Sequence, residues 1–336
     1  MRRAGLAAAL AILGWAAAAS ADPLPLRVGW AQAPSQLTAL SDELMKRHPA
    51  MFPYRGKSYA LEPVRFQGST QQIQGLASGE LEIASLGPSS LALAVINAHL
   101  DLRIVADVMQ DGVPGHFATY WVVRKDGPVK SFADMRHRRV AINAFGATTD
   151  MVLRETLRKN GVADSDYVVI EANFANMLAM MENDKIDLVP VMPQFSHDFE
   201  ATGHYRSLFN NAEIVGPSEV GMWAIRADFI AAHRPALVDF LEDDMRSVRW
   251  FLDPANREEA LAIAGAVTKE SRAALDYVFG PGDLYHSPDL LPIIPSVQKD
   301  IDQAVAMKLL PARIVVDPAY VDLSLVADAK ARLDGK

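Results

Sequence analysis

The 336-residue chain contains no cysteine. That excludes a disulfide scaffold, a thiolate metal site and a cysteine nucleophile, and it denies a lipoprotein signal the residue that would carry the lipid. An excess of basic charge is missing too: 33 lysines and arginines face 41 aspartates and glutamates. Such a balance argues against a nucleic-acid or anionic-membrane surface, although a locally positive pocket remains compatible with it. Beyond residue 21 no stretch approaches the ~20 apolar residues of a membrane span. Gly146 opens no phosphate-cradling Gly-x-x-x-x-Gly-Lys run. Gly87-Pro88-Ser89-Ser90-Leu91 lacks the second glycine of a serine-hydrolase elbow. Low-complexity segments and flexible linkers are absent as well.

What is present starts with a targeting pattern. Arg2 and Arg3 precede an uncharged apolar run of 16 residues, Ala4 to Ala19, which closes on the small residues Ala19-Ser20-Ala21 before Asp22-Pro23. The run is short for a span and flanked like a signal peptide, so export to the periplasm with cleavage after Ala21 is expected. Removing 21 of 336 residues leaves 315. Losing Arg2 and Arg3 from the 33 basic residues, against 41 acidic ones, leaves a net charge of −10. A chain of that length divides its core between two domains.

Short apolar strands alternate with amphipathic helices, the pattern of α/β architecture. Strands are expected over Leu26–Trp30, Ala60–Phe66, Leu81–Leu86 and Leu102–Met109, with helices over Ser35–Arg47, Thr70–Ala77 and Ser89–Ala98. After the turn-rich Asp111-Gly112-Val113-Pro114-Gly115 a second unit begins. Its strands are expected over Ala118–Arg124, Arg139–Asn143, Tyr167–Ile170 and Ile186–Val191, and its helices over Thr149–Lys159 and Phe174–Glu182. Asn160-Gly161 should stop the first of these helices as a left-handed cap. Glu219–Ile225 reads as a return strand. Helices are then expected over Leu237–Phe251, Arg257–Ala266, Lys269–Phe279 and Ile294–Met307. This order suits two discontinuous lobes joined by two crossing segments, one lobe from 22–115 and 222–336, the other from 116–221.

Three segments carry a family resemblance. Gly68–Ala94 (GSTQQIQGLASGELEIASLGPSSLALA) has a helix, a small-Gly-Glu-hydrophobic-acidic turn, a strand and a Gly-rich helix start. Val122–Val162 runs strand, basic-acidic turn, short helix, strand and small-residue helix start, with Arg136-His137-Arg138-Arg139 departing from the usual Leu-Lys-Gly-Lys. Asn176–Phe195 is a helix-to-strand passage in which Asn183 or Asp184 replaces a glycine, so that turn must accept the left-handed conformation through Asn or Asp. The chain thus resembles the periplasmic substrate-binding proteins for nitrate, taurine and aliphatic sulfonates, the group that includes thiamine-precursor-like binding domains. The resemblance covers nearly all of residues 24–330. It implies the two-lobed type II periplasmic-binding-protein fold, a ligand between the lobes, an ABC permease as partner, no cofactor and no catalysis.

Helix starts point to the same gap. Ligands of open α/β sheets bind beyond the carboxyl ends of strands, and three such ends run into hydroxyl-rich helix starts: Gly68-Ser69-Thr70, Gly87-Pro88-Ser89-Ser90 and Gly146-Ala147-Thr148-Thr149. First turns have unpaired N–H groups and the positive dipole end, which together hold an oxyanion without a full cation. Ordinary capping accounts for any one of them; three in matching positions point to a site. Candidate ligand residues are therefore Ser69, Thr70, Ser89, Ser90, Thr148 and Thr149. Trp30 and Gln32 after the first strand, Gln194 across the gap, Tyr120 and Trp223 on the crossings, and Phe145 before the third helix start are expected to clasp an apolar ligand body. The expected ligand is a small organic anion, a sulfonate or carboxylate with an apolar or aromatic part.

Apparent metal and catalytic signals are weak. His197 and His204 stand seven apart, whereas helical zinc pairs stand four apart, and a solvated helix face explains them. Glu242-Asp243-Asp244 beside Arg246 and Arg249 reads as a solvated face. The pyrimidine synthases of thiamine biosynthesis share the resembling fold but carry a cysteine-rich motif that is absent here. The expectation is a monomeric capture protein that closes by hinge rotation. The alternatives are a periplasmic sensor presenting its bound form to a membrane receptor and a secreted cleft enzyme.

Overall fold

The computed structural model describes residues 22–145 and 147–335. The export signal, its cleavage point and Gly146 lie outside the described residues.

The first unit alternates as the apolar pattern requires: β1 (Leu24–Trp30), α1 (Thr38–Arg47), β2 (Tyr59–Arg65), α2 (Ser69–Ser78), β3 (Ile83–Leu86), α3 (Pro88–Ile96) and β4 (Leu102–Asp111). The second contains β5 (Tyr120–Arg124), β6 (Arg139–Ile142), α4 (Thr148–Lys159), β7 (Val168–Glu171), α5 (Phe174–Glu182), β8 (Val189–Val191), α6 (Pro193–Thr202), β9 (Tyr205–Asn210) and α7 (Asn211–Val215). The chain then returns through β10 (Ser218–Arg226) to α8 (Ala227–Leu252), α9 (Arg257–Thr268), α10 (Ile294–Ala306) and α11 (Ser324–Leu333).

A five-stranded sheet in the order β2-β1-β3-β10-β4 organises the first and last parts of the chain. β1, β2 and β3 are parallel, so their carboxyl ends share one edge; β10 runs antiparallel between β3 and β4. All four residues of β3 are buried, the one polar residue, Ser85, having its backbone N–H held by Gln72 and its hydroxyl by Gln36. The middle of the chain forms a three-stranded sheet, β8-β5-β9, and a parallel pair, β6-β7, linked by a bridge from Val140 to Leu188. Helices flank these sheets. One apolar cluster holds Trp121, Val140, Leu153 and Phe209 of the second unit, and another gathers Leu26, Leu40, Phe240 and Leu261 of the first. The molecule is thus a mixed α/β fold in which separate sheets are each flanked by helices.

Local punctuation follows the sequence closely. Gly79 (φ +76°) closes α2, Gly161 (φ +76°) follows α4, and Asp184 takes φ +53° where the resembling pattern has glycine. Three expectations need correction. Lys269–Phe279 is a series of turns rather than a helix: Lys269 ends α9 at φ +67°, and the Arg257 guanidinium holds the Val278 carbonyl at 2.9 Å. The helix expected from Leu237 extends back to Ala227 and bends at His233, two residues before Pro235, which donates no backbone hydrogen bond and crowds the preceding turn. The acidic run Glu242-Asp243-Asp244 is buried, not solvated. Tyr59 Oη donates to Asp243 (3.1 Å) and Trp223 Nε1 to Asp244 (3.4 Å). α6, β9 and α11 were outside the expected pattern.

The two units are stitched where the chain passes between sheets. Residues 112–119 lead from β4 to β5, and Gly216-Pro217 lead back into β10. Asp111, ending β4, accepts from Thr119 N (2.8 Å) and from Asn211 Nδ2 (2.8 Å). Asn211 Oδ1 in turn accepts from Trp121 Nε1 (3.1 Å) in the second unit's core. Gly112 needs its lack of a side chain here: it sits at φ +73°, and a Cβ would meet Ala212 Cβ at 3.1 Å. A second contact lies further out, where Met151 of α4, 2% exposed, inserts into the apolar cluster of α3 and α10, and Gln303 of α10 donates to Glu155 of α4 (2.5 Å).

Candidate functional site

Three strand ends deliver three helices to one place. β2 runs through Gly68 into α2, β3 through Gly87 into α3, and β6 through residues 143–147 into α4. The residues before the helices are Gly68, Gly87 and Ala147, and none of the three helices has a side-chain cap. Glycine and alanine have no hydroxyl or amide to fold back onto the first turn, so these N–H groups stay available. Pro88 at the start of α3 has no N–H to satisfy. A Cβ built on Gly68 would meet nothing within 4 Å, so that corner faces open space.

That space is a cleft of about 510 Å³ between the large sheet and the second unit. It is lined by Ser69 and Thr70 of α2, Ser89 and Ser90 of α3, Thr148 and Thr149 of α4, and by Gln32 and Phe145. Eight of the twelve residues singled out from sequence therefore share one cavity. Phe145 is 58% exposed. The hydroxyls of Ser69, Thr70, Ser90 and Thr148 make no hydrogen bond among the described residues, whereas Thr149 donates to Asn143 Oδ1 and Ser89 lies 3.7 Å from Met151 Sδ.

The other four stand elsewhere. Trp223 is a core residue, 4% exposed and bonded to Asp244, because it falls on an inward position of β10. Trp30 lies under the Arg65 guanidinium at 5.4 Å. Tyr120 pairs with Val191 at the start of β5 and packs its ring on Phe117. Gln194 opens α6. Trp30 Nε1, the Tyr120 hydroxyl and Gln194 Oε1 are each buried without a hydrogen-bond partner among the described residues. The aromatic lining is instead Phe145 and Phe174.

Polar residues unremarked in the sequence complete the wall. Gln36 is occupied: it accepts from Ala31 N (2.5 Å) and donates to Ser85 Oγ (3.0 Å). Gln72, 1% exposed, accepts from Ser85 N at 2.8 Å, while its amide nitrogen has no partner among the described residues. Its approach depends on Gly29, where a Cβ would lie 2.5 Å from Gln72 Oε1. Asn143, Thr119, Asn211 and Asp111 also line the cleft. A glutamine inside a helix or an asparagine after a strand has no sequence signal separating it from surface polarity. Only Asp111, placed at a strand end before a glycine turn, could have been suspected.

The electrostatics are unusual for an anion site. No lysine, arginine or histidine lines the cleft among the described residues, and Asp111 is its one ionisable side chain. Burial pushes the Asp111 carboxyl up, opposed by donors from Thr119, Asn211 and the Gly112 backbone. Positive potential must come from backbone: each helix start carries about half a unit charge. The α4 start is partly offset by Asp150 in its first turn, which pairs with Arg154 at 2.6 Å. The arrangement offers N–H and O–H donors to oxygen atoms.

Residues 60–256, more than half of the chain, match the model of the family described as NMT1/THI5 like. The chain belongs to the NMT1/THI5-like family. Among relatives of this NMT1/THI5-like protein is one from Brucella abortus (strain 2308), named only as a binding protein, 26% identical over 193 residues, which are 55% of this chain and 53% of the relative. The chain thus spans about half the length of the curated relatives it matches. Similar solved structures include the alkanesulfonate-binding protein SsuA from Xanthomonas axonopodis pv. citri bound to MOPS, with TM-score 0.66, 20% identity, and 89% of this chain and 98% of that one covered. The periplasmic nitrate-binding protein NrtA from Synechocystis PCC 6803 gives TM-score 0.68 at 14% identity, covering 94% of this chain and 90% of that one. At such identities the likeness is one of fold.

Proposed function

We propose that this NMT1/THI5-like protein is the periplasmic solute-binding component of an ABC importer. It captures a small organic anion, a sulfonate or carboxylate with an apolar or aromatic part, in the cleft and catalyses nothing. The observation that carries this reading is the convergence of three helix starts without side-chain caps on one cavity of about 510 Å³. Backbone donors in a part-buried cleft bind an oxyanion by charge-assisted hydrogen bonds. Phe145 and Phe174 supply the apolar wall for the rest of the ligand. The partner is a permease in the inner membrane, the chain acts as a monomer, and an export signal ending at Ala21 delivers it.

The lobes of this reading are 22–115 with 222–336, and 116–221, joined by two crossing segments. Ligand binding holds the lobes together by rotation about the two crossings. A melting screen of purified protein against sulfonates, aromatic carboxylates and nitrate tests the reading, since a ligand that binds only the folded state raises the melting point. The expected result is a rise with organic anions and recovery of the ligand unchanged. A response confined to cations or sugars would sink the anion reading; turnover of the bound compound would make the protein an enzyme.

A further inference from the structure

We infer that the cleft selects singly charged anions and rejects doubly charged ones of the same shape, with Asp111 as the residue that sets this limit. The inference rests on the anion-capture reading and adds the charge class of the ligand. Its ground is the balance of fixed charge around the cavity. Among the described residues no cationic side chain lines it, and its single ionisable group is Asp111, an aspartate 3% exposed.

Two helix starts with no acid in their first turn, and a third offset by Asp150, provide somewhat more than one unit of positive charge. That is enough to replace the hydration of one negative charge through backbone donors. A second charge would find no further counter-charge and would be brought toward a buried carboxylate, which costs both desolvation and repulsion. Asp111 is not free to swing away. Thr119 N and Asn211 Nδ2 each hold one of its oxygens at 2.8 Å, and Asn211 is itself pinned by Trp121. Both neighbours present N–H donors, which oppose the upward push of burial on this carboxyl. The same hydrogen bonds that stitch the crossings therefore fix a carboxyl at the wall of the cleft.

The test pairs esters that differ in charge and little in shape: phenyl sulfate, a monoanion throughout, and phenyl phosphate, whose second ionisation falls near about pH 6. Affinities of the full mature chain for both are measured by calorimetry at pH 5 and pH 8. Protonation changes remote from the cleft act alike on both ligands, so the ratio reports what the cleft makes of the second charge. We expect a ratio within about threefold at pH 5 and a preference for the sulfate of about tenfold or more at pH 8. The methyl and butyl esters are measured in the same way.

Two variants locate the cause. Asp111→Asn keeps an acceptor for Thr119 N and should reduce the pH 8 preference to about threefold or less. Gln67→Lys puts a cation at the exposed rim and should reduce it as well, with no buried bond disturbed. Equal or tighter binding of the phosphate ester at pH 8 by the unmodified chain overturns the selectivity while leaving anion capture standing. Failure of every sulfate ester to bind at either pH overturns both.

Discussion

Replacing Met151 by alanine should weaken ligand binding without weakening the fold. Met151 belongs to α4 of the second unit, yet it is 2% exposed because it inserts into the cluster formed by α3 and α10 of the first. Truncating a buried methionine costs about 2–5 kcal/mol. If the lobes separate when the cleft is empty, that contact exists only in the closed form, and the cost falls on closure rather than on folding. Taking the lower figure, closure becomes about thirtyfold less favourable and the apparent Kd rises by about ten- to thirtyfold. Calorimetry gives the affinity and a melting curve of the ligand-free chain gives the stability. The expected outcome is a raised Kd with a melting temperature changed by no more than about 2 °C. Met151→Leu, which nearly conserves volume, should restore affinity to within about threefold. A variant that melts several degrees lower yet binds as tightly as the parent would refute the reasoning, because Met151 would then be ordinary core in a body that does not open.

Two further outcomes follow from groups buried away from the cleft. Burial pushes the Asp244 carboxyl from an ordinary 3.8 up to about 7, so the folded state holds a proton that the unfolded state releases between those values. Stability contributed by this group therefore falls as pH rises toward 7, by about 3 kcal/mol between pH 5 and pH 8. Asp244→Asn should flatten that part of the profile, and melts at the two pH values should show the parent losing on the order of 5 °C more than the variant; equal losses would contradict it. Trp223→Phe should lower stability by about 1–2 kcal/mol in denaturant melts while leaving ligand affinity within twofold, since Trp223 bonds Asp244 in the core and does not line the cleft.

Much of the frame was legible because it depends on short-range chemistry. β10 was read to within one residue at each end and α5 at both ends, since apolar periodicity and flanking caps mark such elements. The left-handed turn at Asp184 was legible for the same reason: only a residue that tolerates φ +53° could replace the glycine. The helix starts of α2, α3 and α4 were legible as glycine-and-hydroxyl corners, and the convergence of α2 and α3 followed from the rule that parallel strands present their carboxyl ends together, whereas α4 comes from the separate β6-β7 pair. The side chains that fill the cleft were less so. Trp223 and Phe145 are both aromatics near strand ends, yet one is 4% and the other 58% exposed. Trp223 lies within β10, where Met222 to Ile225 are buried on both faces, whereas Phe145 lies in the turn beyond β6. Lys269–Phe279 carries helical spacing, but the carbonyls of Asp276 and Val278 are taken by Arg257 from another helix. The buried Glu242-Asp243-Asp244 run escaped for the same reason: its partners Tyr59 and Trp223 come from strands far away in the chain.

The most direct measurement is a crystal structure of the mature chain with an aryl sulfonate or aromatic carboxylate bound. The prediction is an anionic group lying within about 3.2 Å of backbone N–H groups in the first turns of at least two of α2, α3 and α4, with its ring against Phe145 or Phe174. An anion held instead by lysine or arginine side chains outside the cleft, with those helix starts in contact only with water, would contradict it.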